Sequence, residues 1–257
     1  MTARGTYAYC LIAADRPPAV RRRLARLPGM GPVRLLDVGR GLWLAVADAP
    51  LSRYGEKAIN EKLSNLDWVS RAAVAHESVV ESFLEQRAIL PMKLFTIFAS
   101  DDRAAERVRS DRRRMTAVVR RVANRLEWGV RVTLDEPGVR TLEKPLRVRK
   151  GSASGTDYLS RKKARRDTAI ELAARARKTV IDLYDRLAAR SSLAKRRGAS
   201  ELPGQGGPLL LDAAFLVPRS RATGFRSLAA REARRLGRLG YRVTLSGPWP
   251  PYTFVTD

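Results

Sequence analysis

The chain alternates short apolar runs with longer amphipathic ones, and the two periods sort it into strands and helices. Residues 6–13, TYAYCLIA, are apolar at odd and even positions alike, the pattern of a strand buried on two faces. Pro17 and Pro18 can open a short helix that residues 21–27 continue and Pro28-Gly29 ends. Residues 33–38 and 42–47 are apolar runs around Gly39-Arg40-Gly41, which predicts a β-hairpin. Two helices follow, one near 56–63 and one from Leu66 to about Glu85 with Asn65 as its cap. On the second, Val69, Ala73, His76, Val80, Phe83 and Leu84 recur at helical spacing. That stripe turns the sole histidine inward, where a hydrogen-bonded core role is the expectation.

Residues 89–98, ILPMKLFTIF, read as a strand containing Pro91, which a sheet admits at an edge or a bulge. Ser100-Asp101-Asp102 caps a further helix whose core stripe is Met115, Val118, Val119, Val122 and Leu126. Residues 127–134 form a strand, Asp135-Glu136-Pro137-Gly138 a turn, and 139–154 a basic irregular stretch. The longest helical pattern runs from 156 to about 197. Ile170, Ala173, Ala176, Val180, Tyr184 and Leu187 line one face, with Arg and Lys opposite. Unbroken, it would span about 60 Å at ~1.5 Å per residue, with a break expected near Ser191-Ser192. A Gly/Pro-rich loop at 198–208 leads to a buried strand at 209–217 that Pro218 stops. An amphipathic helix at 221–237, with Phe225, Leu228, Ala229 and Leu236 inward, and a strand from Tyr241 complete the pattern.

The tail breaks at Ser246-Gly247-Pro248 and continues Trp249-Pro250-Pro251-Tyr252-Thr253-Phe254. Adjacent prolines fix φ and remove two N–H donors, so an extended tail is expected. Its rings are expected to pack down and close the second sheet, with Pro250 and Pro251 in structural roles. The element order predicts an α+β fold of two domains, with ferredoxin-like portions, mixed or antiparallel sheets and a long helix in the second half. The boundary is expected near 99–102, dividing 1–99 from 100–257. No repeat of about 20–50 residues is present, which excludes a solenoid.

Composition narrows the function classes. A single cysteine, Cys10, forbids an intrachain disulfide and favours a reducing compartment. No signal-peptide core opens the chain, and no apolar run approaches the ~18 residues of a spanning helix, so the expected location is cytoplasmic. The net charge of +24, from 50 basic and 26 acidic residues, attracts polyanions non-specifically. Basic clusters stand at 21–23, 112–114, 161–166 and 195–197, and no aromatics interleave them. A basic nucleic-acid-binding protein is therefore an alternative supported by charge without a motif. Catalytic chemistry finds no foothold. One His and one Cys cannot form a metal cluster, and Cys10 lies in a continuous apolar strand. Asp101-Asp102 starts a helix, Asp135-Glu136 sits in a turn, and Gly204 to Gly207 is GQGG ahead of a strand. The expectation is a non-enzyme with no catalytic, metal or cofactor site.

Four stretches together resemble the gas vesicle GvpL/GvpF family. They are Gly5-Thr6-Tyr7-Ala8-Tyr9; His76-Glu77 with Val79-Val80-Glu81 and then Ile89-Leu90-Pro91-Met92-Lys93; the strand from Leu209 to Val217; and the ending Gly247-Pro248-Trp249-Pro250-Pro251-Tyr252-Thr253-Phe254-Val255. The order is the family's, and the ending is the most specific piece. Three features depart from the family. Leu94-Phe95-Thr96 follows Lys93 where the family usually has an aromatic and then Gly-Thr. Asp212 stands where Asn is common, and the basic charge is unusual. The resemblance implies a two-domain accessory protein of gas vesicles that is not an enzyme. It would be located in the cytoplasm before assembly and at the gas vesicle afterwards. Its implied partners are the small hydrophobic shell protein GvpA and other accessory proteins, with a role in nucleating the shell. A soluble partner of an apolar shell subunit needs an apolar or edge-strand surface plus charge. The candidates here are Pro91 and Lys93 on the interrupted strand, Arg161 and Arg165 on the long helix, and Trp249, Tyr252 and Phe254 in the tail.

Overall fold

The computed structural model describes residues 3–21, 26–134, 155–198 and 207–255; within 155–169 it describes side chains only at 163, 166 and 167. The chain gathers into two compact units. One comprises Met1–Glu127 with Pro248–Asp257, the other Trp128–Gly247.

In the first unit the organising strand is β1 (Arg4–Ala13), buried at every position after Arg4. Tyr7 and Tyr9 meet His76 on one face and Thr6 meets Asp101 on the other, so both faces are covered, which is why the strand is apolar on both. On one side it pairs antiparallel with β3 (Leu42–Pro50), from Arg4 opposite Pro50 to Ala13 opposite Leu42. On the other it pairs antiparallel with β4 (Ala88–Pro91) and, through Thr6 and Tyr7, with β5 (Ile97–Phe98). The outer strand β2 (Arg34–Gly39) makes the predicted hairpin with β3. Gly39, Arg40 and Gly41 take φ of 85°, 59° and 68°. Glycines carry two of these three left-handed positions at no steric cost. β4 ends the sheet order, so Pro91 occupies the edge position that its missing N–H requires. The expected strand over 89–98 is divided by a turn at Lys93–Thr96, where the Lys93 carbonyl accepts from the Thr96 N–H at 3.1 Å.

The helices of this unit are α1 (Leu51–Tyr54), α2 (Glu56–Asn60), α3 (Leu66–Glu81), α4 (Asp101–Ser110) and α5 (Arg112–Val122). Asn65 caps α3 by accepting from the Trp68 N–H at 2.9 Å, and Ser100 caps α4 by accepting from the Arg103 N–H at 3.3 Å. The buried face of α3 is Ala72, Ala75, His76, Val79 and Val80, a rotation from the expected stripe that leaves Ala73 exposed. Small side chains at 72 and 75 let the helix lie close to the sheet. No helix forms over residues 14–21 or 26–27, and the rest of the helix expected at 21–27 lies outside the described residues. Pro18 disfavours the helical region for Pro17, which accounts for the missing start. Asp101, at the start of α4, accepts from Thr6 Oγ1 at 2.6 Å and from Arg34 Nη2 at 2.7 Å, tying helix to sheet. Packing of α4 on β2 and of α5 on β4 carries this unit through Glu127, later than the 99–102 boundary expected from sequence.

The second unit runs β6 (Arg125–Leu134), α6 (Gly155–Ala188), β7 (Leu193–Arg196), β8 (Leu209–Pro218), α7 (Ala222–Gly237), β9 (Tyr241–Trp249). The sheet order β7-β8-β6-β9 makes this β-α-β-β-α-β series a ferredoxin-like unit. The long helix ends at Ala188, short of the expected 197. The Ser192 N–H donates to the Leu216 carbonyl at 2.7 Å, and Leu193–Arg196 then pairs antiparallel with β8. β9 stays extended past Ser246 through Pro248 because it is an edge strand, where a proline interrupts no ladder. The core joins Trp128, Val130 and Val132 to Leu183, Leu187, Phe215, Phe225 and Leu236. Two buried carboxylates are balanced by arginine. Asp212 accepts from Arg131 and Arg197, and Glu232 from Arg186 and Arg235. Asp212 is thus a buried charge that two arginines neutralise.

Phe215 is fully buried, with ring centroids 5.5 Å from Tyr184 and 5.6 Å from Phe225. Phe215→Ala should lower unfolding free energy by about 3–5 kcal/mol in denaturant titrations of the full chain.

Candidate functional site

The polar side chains inside the first unit form two clusters. The first surrounds His76. The Tyr7 hydroxyl accepts from the Phe95 N–H at 3.3 Å and shares a hydrogen bond with His76 Nδ1 at 2.7 Å, its direction set by the imidazole tautomer. The other ring nitrogen, Nε2, is buried without a well-formed hydrogen bond. The Tyr9 ring lies 4.7 Å from that of Tyr7 and 5.5 Å from His76. Burial holds the His76 pKa down at about 4, although the Met92 backbone pulls the other way. Burial likewise pushes the Cys10 thiol up. A neutral, enclosed imidazole and an un-ionised thiol are packing groups rather than a base and a nucleophile. Among the described residues no group of three or more His, Cys, Asp or Glu could hold a metal ion.

The second cluster fixes the tail. Glu127 is 3% exposed; its Oε2 accepts from the Thr253 N–H at 2.8 Å and its Oε1 from Thr253 Oγ1 at 2.6 Å. The Tyr252 hydroxyl donates to Glu77 Oε2. Burial raises the Glu77 pKa, the Tyr252 bond opposes that, and the Glu81 and Glu127 charges add to it. Tyr252–Val255 forms one helical turn, α8, where an extended tail was expected. The prolines precede the turn, where a missing N–H costs nothing, and the first-turn N–H of Thr253 points at a carboxylate. Pro250, Pro251 and Phe254 are buried in this unit, so the tail does not close the second sheet as expected.

The sequence-derived candidates fall in different places. Pro91 is half-buried and Lys93 exposed at the sheet edge. Arg161 and Arg165 lie on α6, but their side chains are outside the described residues. Trp249 is 38% exposed on β9. Pro91 and Lys93 line a groove of about 300 Å³ with Leu90, Met115, Val118 and the tail residue Val255. Beside it, the basic stretch 112–114 lines a cavity of about 750 Å³ with Arg40, Arg109 and Arg120. Sequence reasoning missed Glu77 and Glu127 as tail anchors; an acid three residues ahead of the predicted strand core Val130 is the only local signal. Phe95, in the turn after Lys93, takes a left-handed φ of 63°. It is held by its bond to Tyr7 and by stacking on Trp68 with ring centroids 5.0 Å apart.

The described residues form an α+β protein of two units, each with its own antiparallel sheet and hydrophobic core. The chain matches the model of the family described as gas vesicle synthesis protein GvpL/GvpF over residues 5–256. It is 30% identical over 229 residues to gas vesicle protein L of Streptomyces sp. (strain CB03234), covering 88% of this chain and 84% of that one. The fold is similar to the crystal structure of gas vesicle protein GvpF from Anabaena sp. PCC7120, with a TM-score of 0.69 at 15% identity over 98% of both chains. It is also similar to GvpF from Microcystis aeruginosa, with a TM-score of 0.67 at 14% identity over 98% of this chain and 99% of that one. The chain belongs to the GvpL/GvpF family, whose role is in gas vesicle assembly. Among the described residues no helix is long and apolar enough to cross a membrane.

Two outcomes follow from the buried clusters. Between pH 6.5 and about 4 the unfolded chain protonates its histidine while the folded chain does not. His76 therefore stabilises the fold above pH 6.5, and that contribution is lost as pH falls towards 4. The stability difference between wild type and His76→Gln should shrink by up to about 3 kcal/mol across that window in denaturant titrations. Tyr252→Phe strips Glu77 of its donor and should cost about 1.5–3 kcal/mol by the same measurement at pH 7.

Proposed function

We propose that this chain is a non-enzymatic accessory protein that binds the small hydrophobic shell subunit GvpA before vesicle growth, cooperating with other accessory proteins. Before assembly it acts in the cytoplasm, and a held subunit is the unit from which a shell is nucleated. The observation that carries the reading is the family match over residues 5–256. The chemistry of the interior supports it. His76 is neutral and enclosed, Cys10 is un-ionised, and Glu77 and Glu127 are occupied by the tail. What remains on the surface is a groove with apolar walls and a strong positive charge, which suit an apolar partner that needs a soluble companion.

Co-expression of the tagged chain with the small shell subunit should yield a soluble complex that persists at about 0.5 M salt, where the Debye length is roughly 4 Å. Purification without the shell subunit, or with nucleic acid that the same salt releases, contradicts the reading.

A further inference from the structure

The surface around α5 presents two different chemistries side by side. On one flank, Arg40, Arg109, Arg112, Arg113, Arg114 and Arg120 line the cavity of about 750 Å³. Its single carboxylate, Asp111, is paired with Arg107 at 3.0 Å. Arg112 and Arg109 point their guanidinium groups at the carbonyls of Val38 and Asp37, and Arg112 bonds at 2.7 Å. Arg40, Arg113 and Arg120 are exposed, and none has a carboxylate partner among the described residues. Three of these arginines occupy the first turn of α5, which holds no acid; the N-cap residue is Asp111, whose side chain makes no capping hydrogen bond. Cations at the positive end of a helix dipole repel it, so the cluster works against the stability of its own helix. An oxyanion seated there removes that conflict, and the planar forks of arginine match carboxylates two bonds at a time.

On the other flank lies the apolar groove walled by Leu90, Pro91, Phe98, Met115 and Val118. Asp111 and Arg114 line both hollows, so they adjoin. No aromatic ring lines the cationic cavity, so it offers no platform on which bases could stack. A nucleic acid or polyphosphate satisfies the arginines and leaves the apolar groove empty. A peptide with acidic residues next to large apolar ones fills both.

We infer that α5 and the β4 edge form a docking site for an acidic–apolar peptide segment of a partner protein, its carboxylates among the arginines and its apolar side chains in the adjoining groove. This names the surface for the docking role argued above and rests on that reading.

The test uses the full chain and fluorescence anisotropy with a labelled synthetic peptide carrying three consecutive acids followed by Leu-Phe-Leu. Oligoglutamate of equal charge, inorganic tripolyphosphate and single-stranded oligo(U) compete. The mixed peptide should bind at least tenfold tighter than oligoglutamate. Arg113→Glu with Arg120→Glu should weaken it at least tenfold, and Met115→Asp should reduce it to the oligoglutamate level. Arg40→Asp, in the hairpin turn and off the helix, serves as an independent variant with the same expected direction should the α5 changes disturb folding. Equal or tighter binding of oligo(U) or tripolyphosphate, or unchanged affinity in the folded variants, overturns the site. Capture of the shell subunit that survives the double arginine variant unchanged also overturns it, while leaving the shell-binding reading intact. No capture by wild type, with the peptide still bound, defeats that reading and leaves the site standing.

Discussion

A carboxylate cannot be taken out of water without donors, and Glu127 finds two of its donors in Thr253, 126 residues further along the chain. Glu77 has the same need and meets it through Tyr252. These bonds settle what happens to the last residues. The chain leaves its first unit after Glu127, builds the ferredoxin-like unit, and returns at Pro248 to complete the structure it began. The helical turn Tyr252–Val255 presents N–H and hydroxyl groups to the carboxylates of Glu127 and Glu77. The prolines before it set the entry direction without forfeiting a needed donor. The tail is thus part of the first unit, where Phe254 is buried, while Trp249 on β9 stays 38% exposed.

Much of the architecture was legible because it is local. The two-sided apolar run of β1, the hairpin at Gly39-Arg40-Gly41, the caps Asn65 and Ser100 and the edge place of Pro91 each follow from a few neighbouring residues. Other features were decided at long range. Leu193–Arg196 has no apolar alternation to mark it, and becomes a strand because β8 lies beside it. The stripe of α3 turned because either face satisfies a 3.6-residue period, and the sheet selected the face with small alanines. The tail's fate depended on Glu77 and Glu127, which no local pattern links to it until the fold brings them together. Pro91, Lys93 and the basic stretch 112–114 converge around α5 only in three dimensions, so sequence could name them but not group them.

The distribution of charge explains how a strongly basic chain keeps a folded interior. The buried acids Asp212 and Glu232 each draw two arginines inward, which spends positive charge on cohesion of the second unit. Around α5 the balance differs: Arg40, Arg113 and Arg120 have no carboxylate partner among the described residues, and the one acid lining their cavity, Asp111, is paired with Arg107. That imbalance, next to apolar walls, is what separates this face from a merely solvated basic surface.

Two points are tested together: that the tail is committed to the fold, and the proposal that partners meet the α5 face. Hydrogen–deuterium exchange followed by mass spectrometry, on the free protein and on its complex with the shell subunit, measures both at once. The predicted result is slow exchange over Tyr252–Val255 in both states, with new protection on binding confined to Ala88–Pro91 and Asp101–Val122. Tail amides that exchange at unfolded rates in the free protein, or binding-induced protection found only in the tail, would contradict it.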